Sequence, residues 1–315
     1  IITKENFVEK LLEFLKKNNI EFYENFDLSL ISSIKLGTKA KTIIYPHNKS
    51  EFKLILIKLS KLKLYYRVFG NLSNVLFVQD IDFPIVLTSK MVAEISIDGL
   101  RVTASAGVML PKFCEVLKNN NLSGVEGLLN IPATLGGAII SNAGAFGYSI
   151  SSHLESINVF SCGKVIKINR NDIKFRYHLS NLTGLIIIDA TFLFENKKEY
   201  DIIKLSNEFT YKRNKSQPSG LSLGSVYKKV NEKSAGFYIE RCGLKGTRVG
   251  GIVVSSKHAN FFINDKNGTI ADFLMLASLV ENTVSNQFGV ALEFEIEKVG
   301  NKDEFNSRLS HPFKV

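Results

Sequence analysis

Tryptophan is absent from the 315 residues, and proline, cysteine and methionine are scarce, at 6, 3 and 3. The three cysteines, Cys114, Cys162 and Cys242, are too few and too far apart for a disulfide framework or a cysteine metal cluster. A reducing cytosol fits them best. No HExxH or CxxC occurs, and none of the five histidines stands at ligand spacing from another histidine or a cysteine, so no metal is expected. Long apolar runs are missing too. The longest, "GLIIIDATFLF" from Gly184, is interrupted by charge well before the ~18 apolar residues that a membrane span requires, so no membrane insertion is expected. Nor is there a Walker A sequence or a Gly-x-Gly spacing, which excludes the common phosphate loop and the usual dinucleotide fingerprint.

Positive charge is plentiful: 40 Lys and Arg stand against 30 Asp and Glu, a formal net charge of +10. The lysines are scattered without basic tracts or interleaved aromatics, so a solvated surface explains them better than a nucleic-acid partner does. Part of the surplus suits a phosphate-bearing small ligand. At its start the sequence carries no signal-peptide pattern; "IITKENFVEKLLEFLKK" reads as an amphipathic helix with Phe7, Val8, Leu11, Leu12, Phe14 and Leu15 on one face.

Periodicity then predicts a strand at "KTIIYP", a helix at "KSEFKLILIKLSKLK" and a strand at "LYYRVF", a βαβ-like unit that ends in the turn "GNLSN". Strands follow at "AEISIDG" and "RVTASAG", a helix around "PKFCEVLKNN", and strands at "INVFS", "KVIKIN" and "LIIIDATFLF". The polar segment Tyr211–Gly220 reads as a boundary loop. Beyond it come a helix at "AGFYIERCG", strands at "GIVVSS" and "NFFIN", a long helix from Ile270, and a last strand at "ALEFEIEKVG". The expected class is α+β, with units over 1–90, 91–205 and 206–300 and a polar tail over 301–315.

Between Gly124 and Gly147 lie six of the 22 glycines, interleaved with Pro132, Thr134, Ser141 and Asn142. Small residues at this density mark tight turns or a ligand lying against the main chain. This stretch, "NIPATLGGAIISNAGAFG" over 130–147, together with "GNLSN" (Gly70–Asn74), "GSVYKK" (Gly224–Lys229), "GLKGTRVGGIVVSSKHANFFIN" (Gly243–Asn264) and "FGVALEFEIEKVG" (Phe288–Gly300), resembles in order and spacing the UDP-N-acetylenolpyruvoylglucosamine reductase family. The resemblance runs from about Leu28 to Gly300.

It implies a vanillyl-alcohol-oxidase-like FAD-binding fold, with two α+β FAD-binding subdomains and a C-terminal α+β substrate domain. It further implies a cytoplasmic, monomeric flavoprotein that uses FAD and NADPH to reduce the enolpyruvyl ether of UDP-N-acetylglucosamine to UDP-N-acetylmuramate in peptidoglycan precursor synthesis. By the same likeness the cofactor contacts are Gly70, Asn71, Ser73, Asn74, Pro132, Thr134, Gly136, Gly137, Asn142 and Gly144. Irregular backbone rich in N–H groups suits a pyrophosphate. Leu72 stands where the family usually has a second glycine, a departure that bears on the shape of this turn.

Reduction of an enolpyruvyl double bond is a conjugate addition, so negative charge flows into the substrate carboxylate and must be stabilised there. In the resemblance, hydride passes from flavin N5 and Ser225 gives the proton; read by itself, Ser225 is also an ordinary turn or cap residue. Glu295 matches the acid that polarises the carboxylate. Strand alternation puts Glu293, Glu295 and Glu297 on one face, so only the resemblance selects Glu295. The third catalytic position departs: "FRYHLS" (Phe175–Ser180) places His178 where the family has an arginine for the enolpyruvyl carboxylate. Imidazole cannot make the guanidinium's two-pronged contact. If the segment is extended, Arg176 shares a face with His178, and either Arg176 or protonated His178 is a candidate for the missing charge.

Substrate-binding positions carried over are Tyr177, Arg213, Lys228, Lys245 and His258, each with a plain packing or surface reading beside it. Lys229 and Val230 replace the family's usual Asn and Pro. The competing readings are a degenerate or differently specific FAD-binding protein of the same fold and, from another class, a basic nucleic-acid binder.

Overall fold

The computed structural model describes residues 4–300 except Cys162; the expected polar tail over 301–315 lies outside the described residues. Helix α1 (Lys4–Lys17) buries Leu11 and Leu15 completely. Strand Glu21–Asp27 pairs antiparallel with Lys39–Tyr45, and Ile85–Leu87 and Arg67–Phe69 extend the sheet in parallel. The crossover helix α2 (Lys49–Lys61) begins at Asn48, whose side chain accepts the Glu51 N–H at 2.8 Å, an N-cap that fixes where the helix starts. Its Phe52, Ile55, Leu56 and Leu59 recur at helical spacing and form the buried face.

A second, antiparallel sheet of five strands runs in the order Lys164–Asn169, Leu154–Ser161, Ile186–Leu193, Arg101–Ser105 and Ile95–Asp98. Helices α3 (Leu110–Asn119) and α4 (Leu135–Ile140) contribute to its core, in which Phe113, Leu117, Leu135 and Ile139 pack with Val102, Val159 and Phe192. The strands here follow the expected positions closely.

Two expectations need correction. The segment Tyr211–Gly220 is not all loop, because helix α5 (Glu199–Ser216) continues through it to Ser216 and stops just before Gln217 and Pro218. Only Ile202 and Ser206 are buried, so the apolar stripe that would announce a helix is missing. Likewise, "ALEFEIEKVG" forms a strand only at Glu297–Val299, which pairs in parallel with Val75–Phe77. Glu293, Glu295 and Glu297 accordingly do not share one regular face: they engage Lys228, His178 and Arg67 respectively.

Around the C-terminal core, α6 (Ala235–Arg241) and α7 (Ile270–Phe288) enclose a three-stranded sheet of Arg248–Val249, Ile252–Val254 and Phe262–Asn264. A reciprocal Thr269–Asp272 capping box starts α7, and Gly289 ends it with φ 64°. This core also takes in Ile34, Leu36 and Leu76 from the N-terminal third. Among the described residues no helix is long and apolar enough to cross a membrane.

Candidate active site

Two loops meet at the Gly70–Asn74 turn. Asn71 donates its side-chain N–H to Pro132 O at 3.0 Å, and a Cβ built at Gly70 would lie 2.1 Å from Thr134 Oγ1. Gly70 is therefore required for the two loops to touch. Similar close approaches constrain Gly136, whose Cβ would stand 3.0 Å from that of Ala106, and Gly144, whose Cβ would meet Tyr148 O at 3.0 Å. Part of the answer to why residues 130–147 are so small is thus protein packed on protein.

Backbone N–H groups of the second loop are largely used internally: Leu135 donates to Val108 O, Gly136 to Ala106 O, and Gly137 to Thr134 Oγ1. The first turn differs. Among the described residues, the N–H groups of Asn71, Leu72, Ser73 and Asn74 donate to nothing. Leu72 has φ 52°, so the backbone keeps the left-handed conformation that a glycine would take freely, while its side chain is buried among Phe69, Val75 and Phe77. Successive N–H groups around a left-handed residue form a concavity suited to an anion. Asn142, also left-handed at φ 45°, donates to Arg176 O at 2.8 Å and leaves its buried Oδ1 without a partner among the described residues. A free N–H turn and an orphaned buried acceptor are what FAD would need, the first for its pyrophosphate and the second for a flavin ring N–H.

Ser225, Glu295 and His178 come together across three segments. Gly224, at φ 77°, turns the chain into Ser225, which bridges Phe261, and Tyr227 bridges Phe294. Val226 is held on both sides: its N–H donates to Asn260 O at 2.8 Å, and its carbonyl accepts the Glu295 N–H at 2.8 Å. Glu295 O also accepts from Asn74 Nδ2 at 3.2 Å, which ties the acid to the Gly70–Asn74 turn. The Ser225 hydroxyl makes no hydrogen bond among the described residues, so it is free for a ligand.

His178 lies in a hairpin, not in the extended run expected. Phe175–Arg176 and Leu179–Ser180 pair antiparallel, with Tyr177 and His178 at the tip and His178 at φ 48°. Ser180 Oγ donates to Ile140 O at 2.6 Å, and with the Asn142 bond this fastens the hairpin to the small-residue stretch. His178 Nδ1 stands 2.9 Å from Glu295 Oε1. The Tyr177 ring packs on the His178 ring at 4.1 Å; burial and then the Glu295 charge raise the Tyr177 pKa above the usual phenol value.

These arrangements coincide with known relatives. Residues 217–299 match the family model of the UDP-N-acetylenolpyruvoylglucosamine reductase C-terminal domain, and residues 40–168 match an FAD binding domain. A UDP-N-acetylenolpyruvoylglucosamine reductase of Caldicellulosiruptor saccharolyticus is 35% identical over 309 residues, covering 94% of this chain and 96% of its own. That of Chloroherpeton thalassium is 34% identical over 280 residues, 85% and 90% of the two chains. The chain belongs to the UDP-N-acetylenolpyruvoylglucosamine reductase family. The crystal structure of the reductase MurB from Thermus caldophilus superposes with a TM-score of 0.75 at 28% identity, over 89% of this chain and 99% of that one. Together with the FAD-binding match, it bears out the expected α+β fold of vanillyl-alcohol-oxidase type.

For a reductase of this family, the remaining expected substrate residues divide into groups. Lys228 pairs with Glu293 at 3.2 Å, next to the Ser225 segment. Lys245 pairs with Glu240 at 2.6 Å, and both charges act on His258, whose pKa is lowered chiefly by burial. Arg213, on α5, donates to Gly127 O and Gln217 Oε1, both at 3.2 Å, and lies over the Phe146 ring.

Asn260 was not singled out by sequence reasoning. Its side chain accepts from Tyr227 N at 3.0 Å and donates to Tyr227 O at 2.8 Å, fixing the peptide just beyond Ser225. It sits in the recognised "SSKHANFFIN" motif, where the polar Asn between Ala259 and Phe261 is the one available signal.

Proposed function

We propose that the chain reduces UDP-N-acetylenolpyruvoylglucosamine to UDP-N-acetylmuramate, an NADPH-driven step of peptidoglycan precursor synthesis, with Ser225 as proton donor and Glu295 as the acid beside the substrate carboxylate. The observation that carries this assignment is the meeting of three separate segments at one point: Val226 O takes the Glu295 N–H at 2.8 Å, and Glu295 faces His178 at 2.9 Å. Bound FAD, held by the Gly70–Asn74 turn with Asn142 and the 130–147 loop, supplies a hydride obtained from NADPH. The protein's own groups supply the rest.

Charge that builds on the enolpyruvyl carboxylate during addition is stabilised by donors already in place, which avoids the cost of reorganising water. The enolate that forms is a strong base, so a serine hydroxyl suffices as the acid, provided that it is aimed at the ether-bearing carbon. That role for Ser225 is supported by the hold of Asn260 and Glu295 on the next peptide and by a hydroxyl for which no group among the described residues competes. Lys228 and Arg213 supply positive charge for the uridine diphosphate, and Tyr177, Lys245 and His258 complete the substrate contacts. The chain works as a soluble cytoplasmic monomer in this reading.

Incubation of the FAD-loaded protein with NADPH and UDP-N-acetylenolpyruvoylglucosamine tests the proposal. Mass spectrometry should find a product heavier by two hydrogens, formed one for one with NADPH consumed. NADPH oxidation that proceeds only to oxygen, with the sugar nucleotide unchanged, would overturn it.

A further inference from the structure

The cations assigned above to the rest of the substrate each have a protein partner. Lys228 pairs with Glu293, Lys245 with Glu240, and Arg213 donates to Gly127 and Gln217. His178 is committed to Glu295 through Nδ1, which leaves it one ring nitrogen and no two-pronged contact. Arg176 stands in register with Leu179; both are exposed, on the hairpin face opposite Phe175 and Ser180.

Lys229 is different. Its Nζ lies 4.2 Å from the centroid of the Tyr177 ring, the same ring that packs on His178. An ammonium over an aromatic face is held in position without being neutralised. Its carboxylate neighbour, Glu232, is 4.0 Å away with a side chain 95% exposed, so water screens that pair. Lys229 also belongs to the segment that carries Ser225, whose course Asn260 fixes at Tyr227.

We propose that Lys229 holds the carboxylate of the enolpyruvyl substrate while His178 holds Glu295, so that two side chains share what one arginine would do. The proposal rests on the functional reading given above. It accounts for two departures at once: a permanent cation is missing at position 178 and an additional one is present at position 229. A lysine ammonium offers three donors on a flexible stem, which suits a carboxylate that moves as the double bond is reduced.

Calorimetric binding to the oxidised, FAD-loaded protein without NADPH provides the test, since no turnover then intervenes. Two ligands are compared: UDP-N-acetylenolpyruvoylglucosamine and UDP-N-acetylglucosamine, which lacks the carboxylate. Lys229→Met keeps the stem on Tyr177 and removes the charge. It should weaken the first ligand by about 10- to 100-fold and leave the second unchanged. Lys229→Arg should bind both normally, and adding His178→Arg to Lys229→Met should restore part of the loss. Equal weakening of both ligands, no weakening of either, or the selective loss in Arg176→Ala instead would overturn the assignment to Lys229 while the reductase reading stands. Failure of the unaltered protein to bind the enolpyruvyl ligand would overturn that reading and this proposal with it.

Discussion

Asn260→Ala tests whether the Ser225 segment is held as the geometry indicates. The change deletes two hydrogen bonds, Tyr227 N–H to Oδ1 at 3.0 Å and Nδ2 to Tyr227 O at 2.8 Å, but retains the main-chain bond from Val226 N. Tyr227 is 1% exposed and Asn260 4% exposed, so neither stranded backbone group gains water in exchange. At about 1–3 kcal/mol for each buried group left unpaired, the loss is roughly 2–6 kcal/mol. In a chain of this size that lowers the melting temperature by at least about 3 °C. The functional effect is separate: NADPH should reduce the flavin at the normal rate, while substrate-driven reoxidation slows ~10- to 100-fold as the serine loses its alignment. Thermal unfolding and stopped-flow absorbance measure the two. Unfolding within about 1 °C of the parent, with reoxidation unchanged, would refute the clamp.

Ser225→Ala should leave flavin reduction by NADPH intact and slow reoxidation by the substrate by about 10²- to 10⁴-fold, read in the same stopped-flow trace. Leu72→Gly should relieve about 1–2 kcal/mol of left-handed strain but forfeit about 2–5 kcal/mol of burial, giving a net loss of roughly 0–4 kcal/mol in urea unfolding; a gain would show that the Leu72 side chain is not seated among Phe69, Val75 and Phe77. Burial lowers the His258 pKa, so the unfolded chain binds that proton more readily. The stability from keeping His258 neutral is present above the unfolded value of about 6.5 and is lost as pH falls below it, and His258→Asn should flatten that limb of the melting-temperature profile. Cys114 has its pKa pushed up to about 12, chiefly by burial, and should resist a thiol reagent until the protein unfolds.

Much of this was legible because local pattern and packing agreed. The five-stranded sheet and the crossover helix α2 carry strong periodicity, and Phe52, Ile55, Leu56 and Leu59 bury the face that their spacing predicts. Helix α5 was obscured where the chain buries little: its Tyr211–Ser216 end has no buried residue and so makes no apolar stripe before the stop at Gln217-Pro218. The Tyr177–His178 hairpin was hidden because His178 takes a left-handed conformation without a glycine to announce it, and Leu72 does the same. Site residues found through recognised motifs included those with obvious chemistry. Asn260 supports its neighbours through their backbone, and such a role depends on a distant residue's main chain, which no local spacing reveals. Lys229 was visible only as a departure; its position over Tyr177 gives that departure a meaning.

The most direct test of the central claim is an anaerobic absorbance trace of the flavin-loaded protein, reduced first with NADPH and then mixed with UDP-N-acetylenolpyruvoylglucosamine. Prompt return of the oxidised flavin spectrum, with UDP-N-acetylmuramate formed in proportion, is the predicted result. A flavin that stays reduced after the sugar nucleotide is added would contradict the account.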